Sequence, residues 1–496
     1  MQKGPMTVEL GPRLEAVLEV CRAQGCSYAD VRWVRREQEE IRWRNGQLRG
    51  VSRSRSEGFG IRVLVGGSWG FASTPSGRSE DLERAAREAV AIARASRSAG
   101  GPPVQLAPQE PQRGFYATPV KKDPFAVPLE EKLALLADAD RLMRATGGAV
   151  RVTEAMVGAR RERKVLATTE GTLVEQELVS TGAGIQAAAA RDGEVQFRSY
   201  PNAHRGHWEA AGWEAVERMR LREHAERVAR EATQLLDAPP CPEDVTTVIL
   251  DGRQVALQLH ESCGHPLELD RVLGQEAAFA GTSFLQPEAR GRYRYGSPEV
   301  NIVADATVPG GLGTFGWDDE GVPAQRIPLV ERGIVTGFLT SRETATRLGE
   351  RSNGAMRADG WNRIPLIRMT NINLEPGDWT LDEMIRDTPR GIYMEINRSW
   401  SIDDRRLNFQ FGCEVAWEIR DGSRVRMLKN PTYTGMTPQF WASCDAVGDE
   451  DHWHMWGTPN CGKGQPGQVV SVGHGAAPAR FHRVRVGAGV RARATV

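Results

Sequence analysis

The chain has 496 residues with 64 basic and 64 acidic side chains, so its composition carries no gross attraction to nucleic acid or to a membrane surface. Seven cysteines, an odd number without regular spacing, argue against a disulfide framework and for a reducing compartment. No long uncharged apolar run is present and Met1 to Leu10 lack the apolar core of a signal peptide, so cytoplasm is the expected location, and the length allows at least two independent cores.

In chain order, Arg13 to Gln24 is expected to form a helix, and Tyr28 to Thr74 a meander of short strands separated by Asn45-Gly46, Glu57-Gly58 and Gly66-Gly67. Between residues 32 and 55 arginines alternate with Trp33 and Trp43. Glu37, Glu39 and Glu40 interrupt the basic run, so a solvated strand face is preferred over a nucleic-acid surface. Helical patterns follow at Ser79 to Arg97 and Leu129 to Ala145, strands at Arg151 to Leu178, and a long amphipathic stretch from Trp208 to Leu236. Ala238-Pro239-Pro240 ends that stretch and marks the expected boundary between domains 1–240 and 241–496. Beyond it the chain is strand-rich, with hairpin signals at Glu331-Arg332-Gly333 and Asp421-Gly422-Ser423. The expected class is α+β: an N-terminal α/β domain with an antiparallel sheet and helices, then a β-rich catalytic domain carrying a short metal-binding helix.

That helix follows the strand Val245 to Leu250 and the turn Asp251-Gly252, and spans Gln254 to Glu261. It runs into His260-Glu261-Ser262-Cys263-Gly264-His265, an HExxxH segment one residue longer than HExxH. Two imidazoles bracketing a glutamate are how a protein holds a catalytic zinc beside a general base. On a regular helix, residues i and i+5 point about 140° apart, so the spacing demands a π-bulge. Gly264, tolerant of irregular dihedrals, and Pro266, which disfavours αR at His265, are read as permitting that distortion. Cys263 lies inside the motif but beside the ligand positions, and is expected to be a small buried residue.

A catalytic zinc takes three protein ligands and keeps one position open, so a third donor must come from elsewhere. Cys461 in Asn460-Cys461-Gly462-Lys463-Gly464-Gln465-Pro466-Gly467-Gln468 is one candidate, with Lys463 expected to favour its thiolate, and Asp449, His452 and His454 lie nearby in sequence.

Together these segments resemble the TldD family, the metallopeptidase half of the TldD/PmbA (TldE) group once named modulators of DNA gyrase. The resemblance extends over nearly the whole chain, through EGFGIRVLVGGSWGFAST, HESCGHPLELD, TFGWDDEGVPAQ, RMTNINLEPGD, SCDAVGDE and CGKGQPGQ. It implies His260, His265 and Cys461 as zinc ligands and Glu261 as the base that deprotonates a zinc-activated water. Glu268 and Asp270 match acidic positions that follow the second histidine in the family; either is a candidate to orient a ligating imidazole through its free N–H, with a solvated acidic turn as the equal alternative. It also implies a partner subunit of the PmbA/TldE kind, with a homodimer as the alternative, around a chamber that cleaves unfolded or flexible peptides with low sequence preference. Pro266, where the family often has Gly, and CGKGQPGQ in place of CGKDGQ depart from the pattern without removing a ligand.

Two other readings compete. One is a non-enzymatic regulator in which zinc staples the fold and DNA or a topoisomerase is the partner. The other is a peptidase of the dipeptidyl-peptidase III kind, disfavoured because no EExxxE or EExxxD segment follows residue 265. Asn371, Arg357 and Arg368 lie in family-like segments and are further candidates for substrate contact, with ordinary strand and loop roles preferred for each.

Overall fold

The computed structural model describes residues 6–203, 206–279 and 281–488. The first half is built on one sheet with strand order β3-β2-β1-β5-β6-β4 and with β7 and β8 also paired to β6. Its strands are β1 (Tyr28–Arg44), β2 (Gln47–Val65), β3 (Ser68–Thr74), β4 (Arg113–Ala117), β5 (Val150–Thr168), β6 (Leu173–Arg191), β7 (Glu194–Tyr200) and β8 (His207–Glu209). The meander is therefore made of long strands, not short ones. Asn45-Gly46 and Gly66-Gly67 are genuine turns, each with both residues at positive φ, but Gly58 lies inside β2. A Cβ there would enter the Trp361 ring, so this glycine serves close approach of the C-terminal half.

The period of two gives this sheet two different faces. Odd-numbered residues of β1 and β5 pack under helices at both ends of the strands. Val31, Trp33, Val165 and Ala167 meet α1 (Met6–Ala23) and α2 (Ser79–Ser96). Ile41, Ala155 and Val157 join a core with residues of α3 (Leu129–Ala145), α4 (Glu214–Met219) and α5 (Leu221–Asp237). The even face meets the C-terminal half: Arg32 donates to the Arg363 carbonyl, Arg36 pairs with Glu162 and Asp359, and Lys164 with Asp319. Arg32 and Arg36 are thus junction residues, which corrects the solvated-face expectation; Arg42, Arg44, Arg49, Arg53 and Arg55 do face solvent.

Other expectations shift for physical reasons. The first helix begins at Met6 and carries Pro12 within it. The stretch from Trp208 is broken into β8, α4 and α5, with Arg220 in the left-handed region at φ 49°. The Trp208 indole fills the space above Gly158 and Gly182. β6 runs on to Arg191, through an alanine run with helical preference, because Ala187 and Ala189 pack in the core with α5.

After α5, the segment at Pro239-Pro240 is tied down by mutual hydrogen bonds with Lys429: the Lys429 amide donates to the Pro239 carbonyl, and the Cys241 amide to the Lys429 carbonyl. β9 (Asp244–Leu250) then enters a seven-stranded sheet with Arg390–Ile402, Asn408–Arg420, Ser423–Leu428, Pro431–Met436, Cys444–Val447 and Ala479–Ala488. Five of these pairings close into a ring, β9 lying parallel to Arg390–Ile402 and antiparallel to Ala479–Ala488. Both expected hairpins are present, turning at Arg332-Gly333 and Asp421-Gly422 with positive φ throughout. The chain is α+β with a β-rich C-terminal half.

Candidate metal centre

β9 ends at Leu250 and hands the chain to α6 (Gly252–Leu259), whose N-cap Asp251 accepts from the Arg253 amide at 2.9 Å. Val255, Ala256 and Leu259 bury the helix in the main C-terminal core, and Tyr433 links Gln254 to Gln258 through its hydroxyl. His260–Gly264 then form a π-turn in which the His265 amide donates to the His260 carbonyl five residues back. The extra residue that HExxxH demands is accommodated there.

The reasons for that geometry differ from the expected ones. Gly264 and His265 both have ordinary αR dihedrals, φ −61° and ψ −61° and φ −61° and ψ −45°. Gly264 is needed because a Cβ would collide with the Met369 sulfur, and Pro266 is the second residue of the 3₁₀ turn His265–Leu267, where it leaves His265 undistorted. Polar groups pin the turn: the Tyr295 hydroxyl donates to the Ser262 carbonyl, and Trp441 Nε1 donates to Ser262 Oγ at 2.9 Å. Cys263 points into the core, where burial pushes its thiol up to about 12.

Cys461 arrives on the antiparallel pair His454–Lys463 and Gln468–Ala476, opposite Val470 and just after a register shift that begins at Thr458. It lies on the strand, with the glycine-rich turn following it. His260, His265 and Cys461 are all buried, and their ligand atoms lie within 4.8 Å of one another. Cys461 Sγ is 3.8 Å from His265 Nε2. A tetrahedral zinc with bonds of about 2.0–2.3 Å holds its donors roughly 3.3–3.5 Å apart, so small adjustments suffice.

Each imidazole is aimed by its other nitrogen. His265 Nδ1 donates to Glu268 Oε2 at 3.1 Å, leaving Nε2 toward Cys461. His260 Nδ1 lies 2.8 Å from His474 Nε2, and His474 Nδ1 is 3.3 Å from the Ile372 carbonyl. The carbonyl can only accept, so His474 carries its proton on Nδ1, His260 donates from Nδ1, and His260 Nε2 is left for a metal.

Burial opposes charge on Cys461, yet His260, Arg368 and His265 hold its thiol well below the usual range. His260 is raised against its own burial by the Cys461 sulfur, and burial with the His260 charge drives His474 well down. Lys463 does not perform the expected role: its ammonium bonds both Asp270 oxygens at 2.8 Å, the Ile367 carbonyl at 2.8 Å, and Glu268 at 3.3 Å. Burial would raise Glu268, but Lys463 and His265 hold it well down. Glu268 therefore touches a candidate ligand directly, while Asp270 acts one step back through Lys463.

Glu261, buried on the same turn, pairs with Arg406 at 2.5 Å. Arg368 is a support and not a surface: its Nη2 holds the Cys461 carbonyl at 2.6 Å. Asn371 binds the Asp305 carbonyl, Thr314 Oγ1 and the Gly313 amide, a structural role, and Arg357 donates to the Met369 carbonyl. His452 pairs with Asp449, and both stand outside the cluster with the exposed His454. His474 and Arg406 are not among the residues to which the sequence motifs point. The Gly-His-Gly setting of His474 was a usable signal; Arg406, in a run of charged residues, offered none.

Among the described residues no helix is long and apolar enough to cross a membrane. Models of PmbA/TldA metallopeptidase domains match residues 29–93 (domain 1), 122–236 (central domain) and 243–487 (C-terminal domain). A metalloprotease of Synechocystis is 32% identical over 468 residues, 93% of this chain and 95% of that one. A zinc metalloprotease TldD homolog of Saccharolobus solfataricus is 25% identical over 241 residues, 48% of this chain and 51% of the other. The crystal structure of TldE from Thermococcus kodakarensis, at 16% identity, superposes with a TM-score of 0.71 over 96% of this chain and all of that one, a likeness of fold. The chain belongs to the PmbA/TldD family of metallopeptidases.

Proposed function

We propose that this metallopeptidase is zinc-dependent and hydrolyses unfolded or flexible peptides with low sequence preference, with His260, His265 and Cys461 as ligands and Glu261 as general base. The observation that carries this reading is the convergence of two imidazoles and a thiol within 4.8 Å, two of them from the turn that bears Glu261. Two nitrogens and a sulfur suit zinc better than magnesium or calcium, which prefer oxygen. A zinc held there supplies Lewis acidity, lowering the pKa of a water toward roughly 7 and polarising a carbonyl. Glu261 takes the proton of the attacking water and returns it to the leaving amine. His474 and Glu268 keep the two ring nitrogens presented, and Arg368 holds the Cys461 backbone.

An extended peptide held through its backbone explains tolerance of side chains. The resemblance to TldD supports a PmbA/TldE-like partner subunit, with a homodimer as the alternative, in the cytoplasm. We read residues 1–240 as the domain that helps enclose the site and 241–496 as the catalytic domain. The structural-zinc regulator is disfavoured because no fourth His, Cys, Asp or Glu joins the cluster among the described residues, as a closed site requires. Nucleic acid is disfavoured because Arg35, Arg36, Arg42, Arg53 and Arg55 are engaged by carboxylates.

The test is zinc content and cleavage of an unfolded peptide by wild type and Glu261→Ala, each alone and co-expressed with a PmbA-like chain. Stoichiometric zinc in both, with cleavage only in wild type, is expected. Zinc without cleavage in either assembly would move the regulator to the front.

A further inference from the structure

Arg406 stands on the turn that joins the strands Arg390–Ile402 and Asn408–Arg420. Its backbone is in the left-handed region at φ 63°, and the turn is anchored on several sides. The Asp403 carboxylate accepts from the Leu407 and Asn408 amides at 3.0 and 2.9 Å, and the Arg406 amide donates to the Asp403 carbonyl at 2.9 Å. Thr437 Oγ1 donates to the Arg406 carbonyl at 2.8 Å, and the Thr282 and Phe284 amides donate to the carbonyls of Asp404 and Arg405. The anchored turn fixes the Arg406 backbone, and an ion pair then holds its guanidinium in one place.

That place is Glu261: Arg406 Nη1 lies 2.5 Å from Glu261 Oε2, the two side chains being 17% and 9% exposed. Among the described residues Glu261 has no other side-chain hydrogen bond, and Arg406 Nε is buried without a partner. The guanidinium thus holds one carboxylate oxygen and leaves the other unengaged. The carboxylate sits between His260 and His265 in sequence, on a π-turn whose side chains fan differently from those of a regular helix.

We propose that Arg406 is the positioning residue for Glu261: by fixing Oε2 it sets the rotamer in which Oε1 is free to take a proton at the His260–His265–Cys461 cluster. The inference rests on the peptidase reading above for its kinetic consequence and on geometry alone for the rotamer. Its action is through Glu261, so it predicts a loss in turnover and not in peptide binding.

The experiment compares wild type, Arg406→Ala, Arg406→Gln and Arg406→Lys for zinc content, for kcat and KM on a flexible peptide, and by crystal structure of Arg406→Gln. Expected are unchanged zinc, KM within about threefold, kcat for Arg406→Ala and Arg406→Gln lower by about 100-fold, partial recovery in Arg406→Lys, and a Glu261 side chain turned to another rotamer in Arg406→Gln. A raised KM with unchanged kcat, no loss of kcat, or an unmoved Glu261 carboxylate in the Arg406→Gln structure would overturn the proposal. Failure of wild type itself to cleave defeats the peptidase reading instead, and the crystal structure of Arg406→Gln still decides whether Arg406 sets the Glu261 rotamer. If Arg406→Ala does not fold, Arg406→Gln and Arg406→Lys carry the comparison.

Discussion

The ion-pair cluster beneath the candidate metal centre and the one between the sheet and the C-terminal half are both removed from water, but their chains of contact end differently. At the junction Arg62 bonds Asp30 and Glu320, and Glu320 in turn accepts from the Arg342 amide at 2.7 Å, so the charges close on one another and on backbone. Beneath the centre the chain Asp270–Lys463–Glu268 ends on Nδ1 of His265. One cluster staples two halves of the molecule; the other spends its last hydrogen bond aiming a ring nitrogen. Buried charge of the same chemistry is structural or functional according to what its final acceptor touches.

The largest expected effects break that contrast directly. Lys463→Met leaves Glu268 and Asp270 buried without their lysine and should destabilise by about 3–5 kcal/mol in denaturant unfolding. It should also weaken zinc binding. Arg62→Met should cost a similar amount while the folded fraction binds zinc with wild-type affinity; equal loss of zinc in both variants would erase the distinction. His474→Phe removes the acceptor of His260 Nδ1 and should weaken zinc about 10–100-fold, measured by competition with a chelator.

Gly264→Ala tests the packing on which the π-turn depends. The added methyl meets the Met369 sulfur, so a cost of about 1–3 kcal/mol is expected, and the same change made in a Met369→Ala background should cost less. An unaltered melting temperature in the single variant would mean that Met369 yields freely.

The smallest effect is a pH dependence at the junction. Burial and the neighbouring Glu320 raise Asp318, beside the junction, to about 8. A carboxyl raised in the folded state favours folding while protonated, and that contribution is lost as pH climbs from the unfolded value through about 8. Stability should therefore fall between pH 6 and 8 by at most about 1.4 kcal/mol per unit, visible as a declining melting temperature of the zinc-loaded protein. A flat profile would remove Asp318 from the account.

Local features of the site were legible in the chain. The five-residue separation of His260 and His265 demands a π-turn on geometric grounds alone, and the Pro pair before β9 breaks the preceding helix. What was not legible depends on topology. His474 reaches His260 because its strand pairs with the one carrying Cys461, and Arg406 reaches Glu261 because a turn between two strands of the ring folds over α6's end. Gly58 was misread as punctuation for a related reason: its Cβ is excluded by Trp361, about 300 residues away, and no local pattern records that approach.

X-ray absorption at the zinc edge of the purified protein decides whether Cys461 ligates the metal with His260 and His265. One sulfur at about 2.3 Å with two nitrogens and one light solvent atom near 2.0 Å is expected around the zinc, the sulfur disappearing in Cys461→Ser. A shell without sulfur, or one closed by a second sulfur or a third imidazole, would contradict it.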